Sequence, residues 1–529
     1  MPSCIYIDKA KVGPEAMELL ELLKSLPINE AFALLGTLRE EGDPATVLSG
    51  LKDDTLEDHM VSSGLDTQGP IPPRSMLELE LMANNSKAYH ALRRISPAAL
   101  AKSDLLRQIR PSMHDYHIAF DKDAMQFAND FFKEAEELWK EEQDSCTAVA
   151  GAILLSLSLI GNSRDHAVLS YAQKAMQMSR NLGLFNAADA ATSKAKEMPE
   201  EDMISSCYAA WGTFNWNVLV SFFYRQPGAE SPSLAPTLPI PGETILERGI
   251  EGILEGKSVD EDPQKMIFPM LCRFWQIIRG AGWIYTPAEG GPPKVFRMAL
   301  AEHTFRELIA WAESLPSPLL RAEGRSHHVT VIHIWLHCAI LDVFRPFTGK
   351  PEGERPRLTT FLARDSSPDA AYAASVGQLK NLIVEYRSNY VASTYSILWH
   401  TGLLYLANAM LKDTNDPEWR VYLLLCLYGY ENLSRPYLIS EVIAQGLLSM
   451  SLKGTDMAGS EAQKIINEVK EGRLEGTEQG HDDEPRATFM VDLDLALKKP
   501  EEASAENLAA EFDNLALFQE FLNEEETGV

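Results

Sequence analysis

Apolar residues recur every three to four positions along most of this chain, and few segments alternate with period two. That spacing predicts amphipathic helices, and their number predicts an all-α, multi-helix, bundle-like domain. Between His166 and Leu184, Val168, Tyr171, Ala172, Ala175 and Leu182 fall on one face, and Asn181-Leu182-Gly183 supplies a stop in which glycine can take positive φ. Further toward the N-terminus, Leu19, Leu22, Leu23 and Leu26 form a stripe at i, i+3, i+4, i+7. The stripe is too short for a stable coiled coil, so intrachain packing is expected.

Punctuation divides the chain. Residues 1–57 read as short helices, with Pro14 at a start and Gly42 at a stop. Residues 58–76 carry Ser, Gly and Pro without periodicity and read as a linker. Residues 77–453 carry the helical pattern, broken by Pro/Gly-rich loops at 226–243, 286–294 and 348–369. Residues 454–485 gain Gly, Glu and Asp and read as a disordered linker. Two apolar islands follow within an acidic segment, 486–529, expected to be flexible.

Charge sharpens this picture. The 529 residues carry a formal net charge of -28, and residues 461–529 hold 19 Asp+Glu against 6 Lys+Arg. Nucleic-acid affinity rests on Lys and Arg displacing counterions, so direct DNA binding by this chain is not expected. The six cysteines are scattered and form no CxxC, which excludes a local zinc half-site and points to a reducing compartment. The longest apolar stretch, about thirteen residues from Ala148 to Ile160, falls short of the ~20 that a membrane span needs.

No catalytic constellation emerges, and the chain is not read as an enzyme. Gly252 to Ser258 resembles a P-loop but has one residue too few between the glycines. His333 and His337 have metal-binding spacing on a helix, yet the surrounding VIHIWLHCAILDVF is strongly apolar. Buried or half-buried histidines bonded to backbone or water are expected there instead.

Four segments in order resemble the fungal-specific transcription factor domain, the middle homology region of the fungal zinc-cluster regulators. The first is Ala148–Leu184. The second is AAWGTFNWNVLVSFFYRQP, in which Trp211, Trp216, Arg225 and Pro227 match a tryptophan-rich helix ending in a Gly-Arg-Pro-like turn. Tyr224 stands where glycine is common, Gln226 is inserted, and the tryptophans are more widely spaced than in the family. The third is Phe305–Phe347, in which Arg345 and Pro346 belong to the Phe-Arg-Pro-Phe ending, and the fourth is Ala370–Leu448. AFALLGTLREEGDPATVLSGL is also similar to a segment that follows the zinc cluster in regulators related to nitrate assimilation.

The resemblance implies a nuclear regulator controlling a specific set of metabolic or biosynthetic genes. Coactivators, a DNA-binding partner or a second copy of the chain are the expected partners, and no membrane is. In the family a six-cysteine zinc cluster comes first. Cys4, followed by Ile5 and Tyr6, resembles its end, and the other five ligands are absent from this sequence. Either the protein lacks the cluster and acts as a co-regulator or dominant inhibitor, or the sequence continues upstream and Cys4 ligates zinc. Zinc is expected only in the second case, and no other cofactor is. A cytosolic all-α scaffold or adaptor is the alternative.

Read from the residues alone, Trp211 and Trp216 lie on different faces of one helix, and truncating a buried one should cost ~3–5 kcal/mol. Arg225 and Arg345 are expected to bond helix-end carbonyls. An effector pocket lined by Trp211, Phe214, Phe222 and Phe223 is the functional alternative. In the acidic segment, Phe512, Leu515, Leu517, Phe518, Phe521 and Leu522 alternate with carboxylates, as in activation segments that fold on a coactivator. A helix docked on the protein's own core has the same stripe, so both readings stand.

Overall fold

A computed structural model describes residues 67–95, 122–161, 165–185, 199–225, 229, 231–243, 263–285, 293–322, 324–434, 436–471 and 487–527. The N-terminal helical segment, Cys4, the glycines of the P-loop-like run and Pro227 lie outside the described residues.

The all-α expectation holds, with one short exception. β1 (Thr67–Pro70) and β2 (Arg93–Ile95) pair antiparallel with an irregular register between Gln68 and Pro70. β1 lies in the stretch expected to be linker. Between the strands, α1 (Met76–Asn84) begins at Ser75, whose hydroxyl accepts from the Glu78 N–H at 3.0 Å. This N-cap satisfies one of the donors that a helix start leaves open.

The first helical layer contains α2 (Lys122–Trp139), α3 (Cys146–Gly161), α4 (Asp165–Asn181) and α5 (Glu200–Leu219). α3 and α4 form a close hairpin, and α5 packs across both. Val168, Ala172 and Ala175 are buried, as the stripe on α4 predicts. Gly183 takes φ 78°, and the Leu184 N–H reaches back to the Ser179 carbonyl at 2.9 Å, so this glycine terminates the helix.

α6 (Pro263–Arg279), α7 (Lys294–Glu313), α8 (His327–Phe344) and α9 (Pro368–Asn389) follow. α8 is the axis of the fold. Every residue from Val329 to Phe344 is buried, with α9 on one side and α6, α7 and the next helix on the others. α8 is long and apolar enough to cross a membrane, but 94% of its most apolar window is buried inside the protein. A core helix touched on all sides has to be apolar all round.

α10 (His400–Lys412), α11 (Trp419–Ser434), α12 (Ile439–Gly454) and α13 (Gly459–Glu471) extend the core. α13 corrects the disordered linker expected from residue 454. Its Ala462, Ile465, Ile466 and Val469 are buried at i, i+3, i+4, i+7 against α11 and α12. The last described stretch contains α14 (Ala505–Ala510) and α15 (Phe512–Thr527), both lying on α12.

Both motif tryptophans are core residues. The Trp211 indole donates to the Leu238 carbonyl at 2.9 Å, and the Trp216 indole to the Ser156 hydroxyl at 2.9 Å. Trp216→Phe keeps an aromatic ring but removes the indole donor and the ring that carries it, leaving a small cavity. It should cost about 2–3 kcal/mol, read as a fall in the urea midpoint at unchanged slope.

Candidate functional site

Arg225 and Arg345 come from different motif segments, 117 and 3 residues from Asp342, and both meet its carboxylate. Their convergence brings three buried charges together at one point of the interior. Arg225 pairs with Asp342 Oδ2 through Nη2, and Arg345 Nε donates to Oδ1 at 3.3 Å. The Tyr405 hydroxyl donates to the same Oδ2 and accepts from Arg225 Nη2 at 2.9 Å. Asp342 is fully buried, and the two guanidinium side chains are 7% and 0% exposed.

Local backbone geometry aims these groups. After α5 the chain makes a π-helical turn, Val220–Tyr224, and stops at Arg225 in the left-handed region, φ 48° and ψ 37°. Arg225 is the one non-glycine with positive φ among the described residues. A side chain costs energy in that conformation, and here the anchoring of its guanidinium holds it there. Arg225 also bonds a helix-end carbonyl, that of Phe222 at 3.1 Å, as expected. Arg345 donates to two carboxylates, those of Asp342 and Asp494. It opens a short 3₁₀ turn with Pro346 and Phe347, one helical turn past Asp342.

The far side of the cluster is closed by the acidic segment. Asp494 accepts from Arg345 Nη1 at 3.1 Å and pairs with Lys412 at 3.0 Å. Burial pushes the Asp494 carboxyl up, but the charges of Arg345 and Lys412 outweigh it and leave the group below the usual carboxylate range. Arg345 also lies over the Tyr405 and Tyr372 rings at 5.6 and 6.0 Å. Burial raises the Tyr372 phenol to about 12, so it stays neutral beside these charges.

The rest of 487–512 is seated as well, which corrects the expectation of flexibility there. Phe489, Met490, Val491 and Leu493 are buried. The Phe489 ring meets Tyr224 edge-on at 5.9 Å and His400 at 6.2 Å. Asn408, on α10, reads the backbone with both ends of its amide: Nδ2 donates to the Val491 carbonyl at 2.9 Å and Oδ1 accepts the Leu493 N–H at 3.0 Å. The Met490 N–H reaches the carbonyl of Tyr224, the last residue of the π turn, at 3.3 Å.

Of the residues expected to form an activation segment, Phe512 is buried and Leu515 partly buried, whereas Leu517 and Phe518 are 55% and 59% exposed. Phe521 and Leu522 lie on α15, and their side chains are outside the described residues. The aromatics of the alternative effector pocket are packed core, in line with the structural reading. Trp211, Phe214, Phe222 and Phe223 are all buried, and Phe223 contacts Trp275, Trp335 and Tyr405.

His333 and His337 bond backbone, as expected. Their Nε2 atoms reach the carbonyls of Leu319 and Ala88, each at 3.1 Å. No group of three or more metal-binding side chains occurs among the described residues. A surface groove between α2 and α4, lined by Glu136, Trp139, Tyr171, Lys174 and Gln177, contains none of the motif residues.

The cluster is a structural junction: it ties the π turn, α8, α10 and the acidic segment together through one buried carboxylate. No family model, no curated protein and no solved structure matches this chain.

Proposed function

We propose that the chain is a transcription regulator that acts through its helical domain and protein partners. The observation that carries this reading is the meeting of Arg225 and Arg345 on Asp342. Two motif segments of the resemblance, far apart in sequence, contribute to one interior unit, as parts of a single ancestral domain would. The net charge of -28 supports DNA contact borrowed from a partner. Location in the nucleus and control of a specific gene set belong to the same proposal.

One observation favours a second reading. Residues 487–512 are seated on the core, where an activation segment would have to be free to reach a coactivator. An all-α adaptor with no role at promoters needs no free acidic segment.

Fusing the full chain, and separately residues 486–529, to a heterologous DNA-binding domain separates the two. A regulator is expected to be nuclear and to change reporter output at least severalfold in one of the fusions. Nuclear exclusion together with an unchanged reporter in both fusions would leave the adaptor.

A further inference from the structure

The acidic segment lies on the core as a peptide lies in a receptor. Residues 487–492 fold back on 503–506 through backbone bonds: Val491 N–H to the Ala503 carbonyl at 2.8 Å, Ala505 N–H to the Phe489 carbonyl at 3.0 Å, and Glu506 N–H to the Ala487 carbonyl at 2.9 Å. The segment therefore braces itself and meets the core as a unit. The core side has separate devices for each part of it. Tyr224 and His400 face the aromatic ring, the Asn408 amide reads the backbone, and Arg345 with Lys412 take the carboxylate. Gly446 leaves room for Val491, since a Cβ there would stand 3.3 Å from the Val491 methyl.

Three features distinguish this contact from ordinary core packing. First, part of its specificity comes from a side chain, Asn408, bonding the backbone on both sides of Asp492, a mode by which receptors hold peptides. Second, Arg345 and Lys412 both pair with Asp494, so removing that carboxylate leaves two cationic groups facing the vacated position, which suits an acidic chain. Third, the His400 side chain is 98% buried, and neither ring nitrogen has a hydrogen-bond partner, although the ring stands between Tyr224 and Phe489. A buried polar group left in this way favours opening of the contact that covers it.

We propose that the socket formed by Tyr224, Arg345, His400, Asn408, Gly446 and Lys412 is a recognition site for an aromatic-x-aliphatic-x-aliphatic-carboxylate peptide, filled here by Phe489–Asp494, and that the same segment of a second copy of the chain occupies it in trans. A second copy is the fitting occupant because reciprocal exchange re-forms every bond of the closed form in both sockets. Only the connection must reach. Fifteen residues lie between Glu471 and Ala487, enough chain to span about 50 Å when extended. At low concentration the tethered segment wins, because its effective concentration is of millimolar order. The exchanged dimer forms on concentration or when the resident segment is weakened. The proposal does not rest on a role in transcription.

The test mixes two tagged full-length variants. Asn408→Leu impairs a socket but leaves a sound segment; Phe489→Ala with Asp494→Lys impairs a segment but leaves a sound socket. Heterodimer, read by native mass spectrometry, is expected at least tenfold above the dimer of either variant alone. A labelled synthetic peptide of residues 487–512 should bind the segment-impaired variant and not the Asn408→Leu variant. A folded segment-impaired variant that takes up neither the second copy's segment nor the peptide overturns the proposal. So does a segment-impaired variant that is unfolded by circular dichroism, since the segment would then be inseparable from the core.

Discussion

Asp342→Ala should lower the unfolding free energy by roughly 5 kcal/mol, the upper end of what breaking a buried ion pair costs. The reason is the asymmetry of removing one partner. The pair's own attraction is largely offset by the desolvation of its charges, but a guanidinium left buried without its carboxylate has no such compensation. Arg345 keeps Asp494, whereas Arg225 loses the carboxylate it pairs with. Urea midpoints at constant slope would measure the loss. The control is the triple variant Arg225→Met, Asp342→Leu, Arg345→Met, which removes the whole cluster and should recover most of it. A loss below about 1 kcal/mol for Asp342→Ala would mean that these charges are far better solvated than their burial implies.

Acid should destabilise the protein well above the range where carboxylates titrate. Burial is the main cause that pushes His333 and His400 down to about 3 and His337 well below its ordinary value. The nearby Arg321 charge adds to the effect on His333 and His337. Above pH ~6.5 all three are neutral in both the folded and the unfolded chain, and nothing is lost. As pH falls below ~6.5 the unfolded chain takes up protons that the folded one cannot. Each histidine then removes about 1.4 kcal/mol per pH unit until its folded value is reached. Three together predict a loss of about 4 kcal/mol between pH 7.5 and 5.5. Paired urea titrations at the two pH values would check it, and His400→Phe should flatten the dependence by about a third. An unchanged midpoint would require these histidines to gain solvent or a carboxylate on protonation.

How much of this was legible in the sequence depended on how local the signal was. The helices, the Gly183 stop and the burial of at least one motif tryptophan follow from spacing and residue type alone; that both are buried does not. The arginines of the cluster were marked by the resemblance, but their shared partner was missed. The signal for it existed: Asp342 is the lone carboxylate in the apolar run VIHIWLHCAILDVF, and a charge in such a helix must be paired. What periodicity could not supply was the partner more than a hundred residues away. In α13 composition outweighed pattern, because the Gly and Glu around Ala462, Ile465, Ile466 and Val469 hid a complete helical stripe. The acidic segment was ambiguous for a physical reason: an apolar stripe that docks on its own core and one that docks elsewhere look alike.

The seating of residues 487–512 also orders events during synthesis. Domains begin to fold as they leave the ribosome, at about 5–20 residues per second. Tyr224, Arg345, His400 and Asn408 are all made before the segment that covers them. From the emergence of α10 until residue 512 clears the exit tunnel, the nascent chain carries an open, cationic, partly apolar cleft. Newly made chains on neighbouring ribosomes pass through the same window. This interval is when a chaperone, or another nascent copy, has its freest access to the cleft.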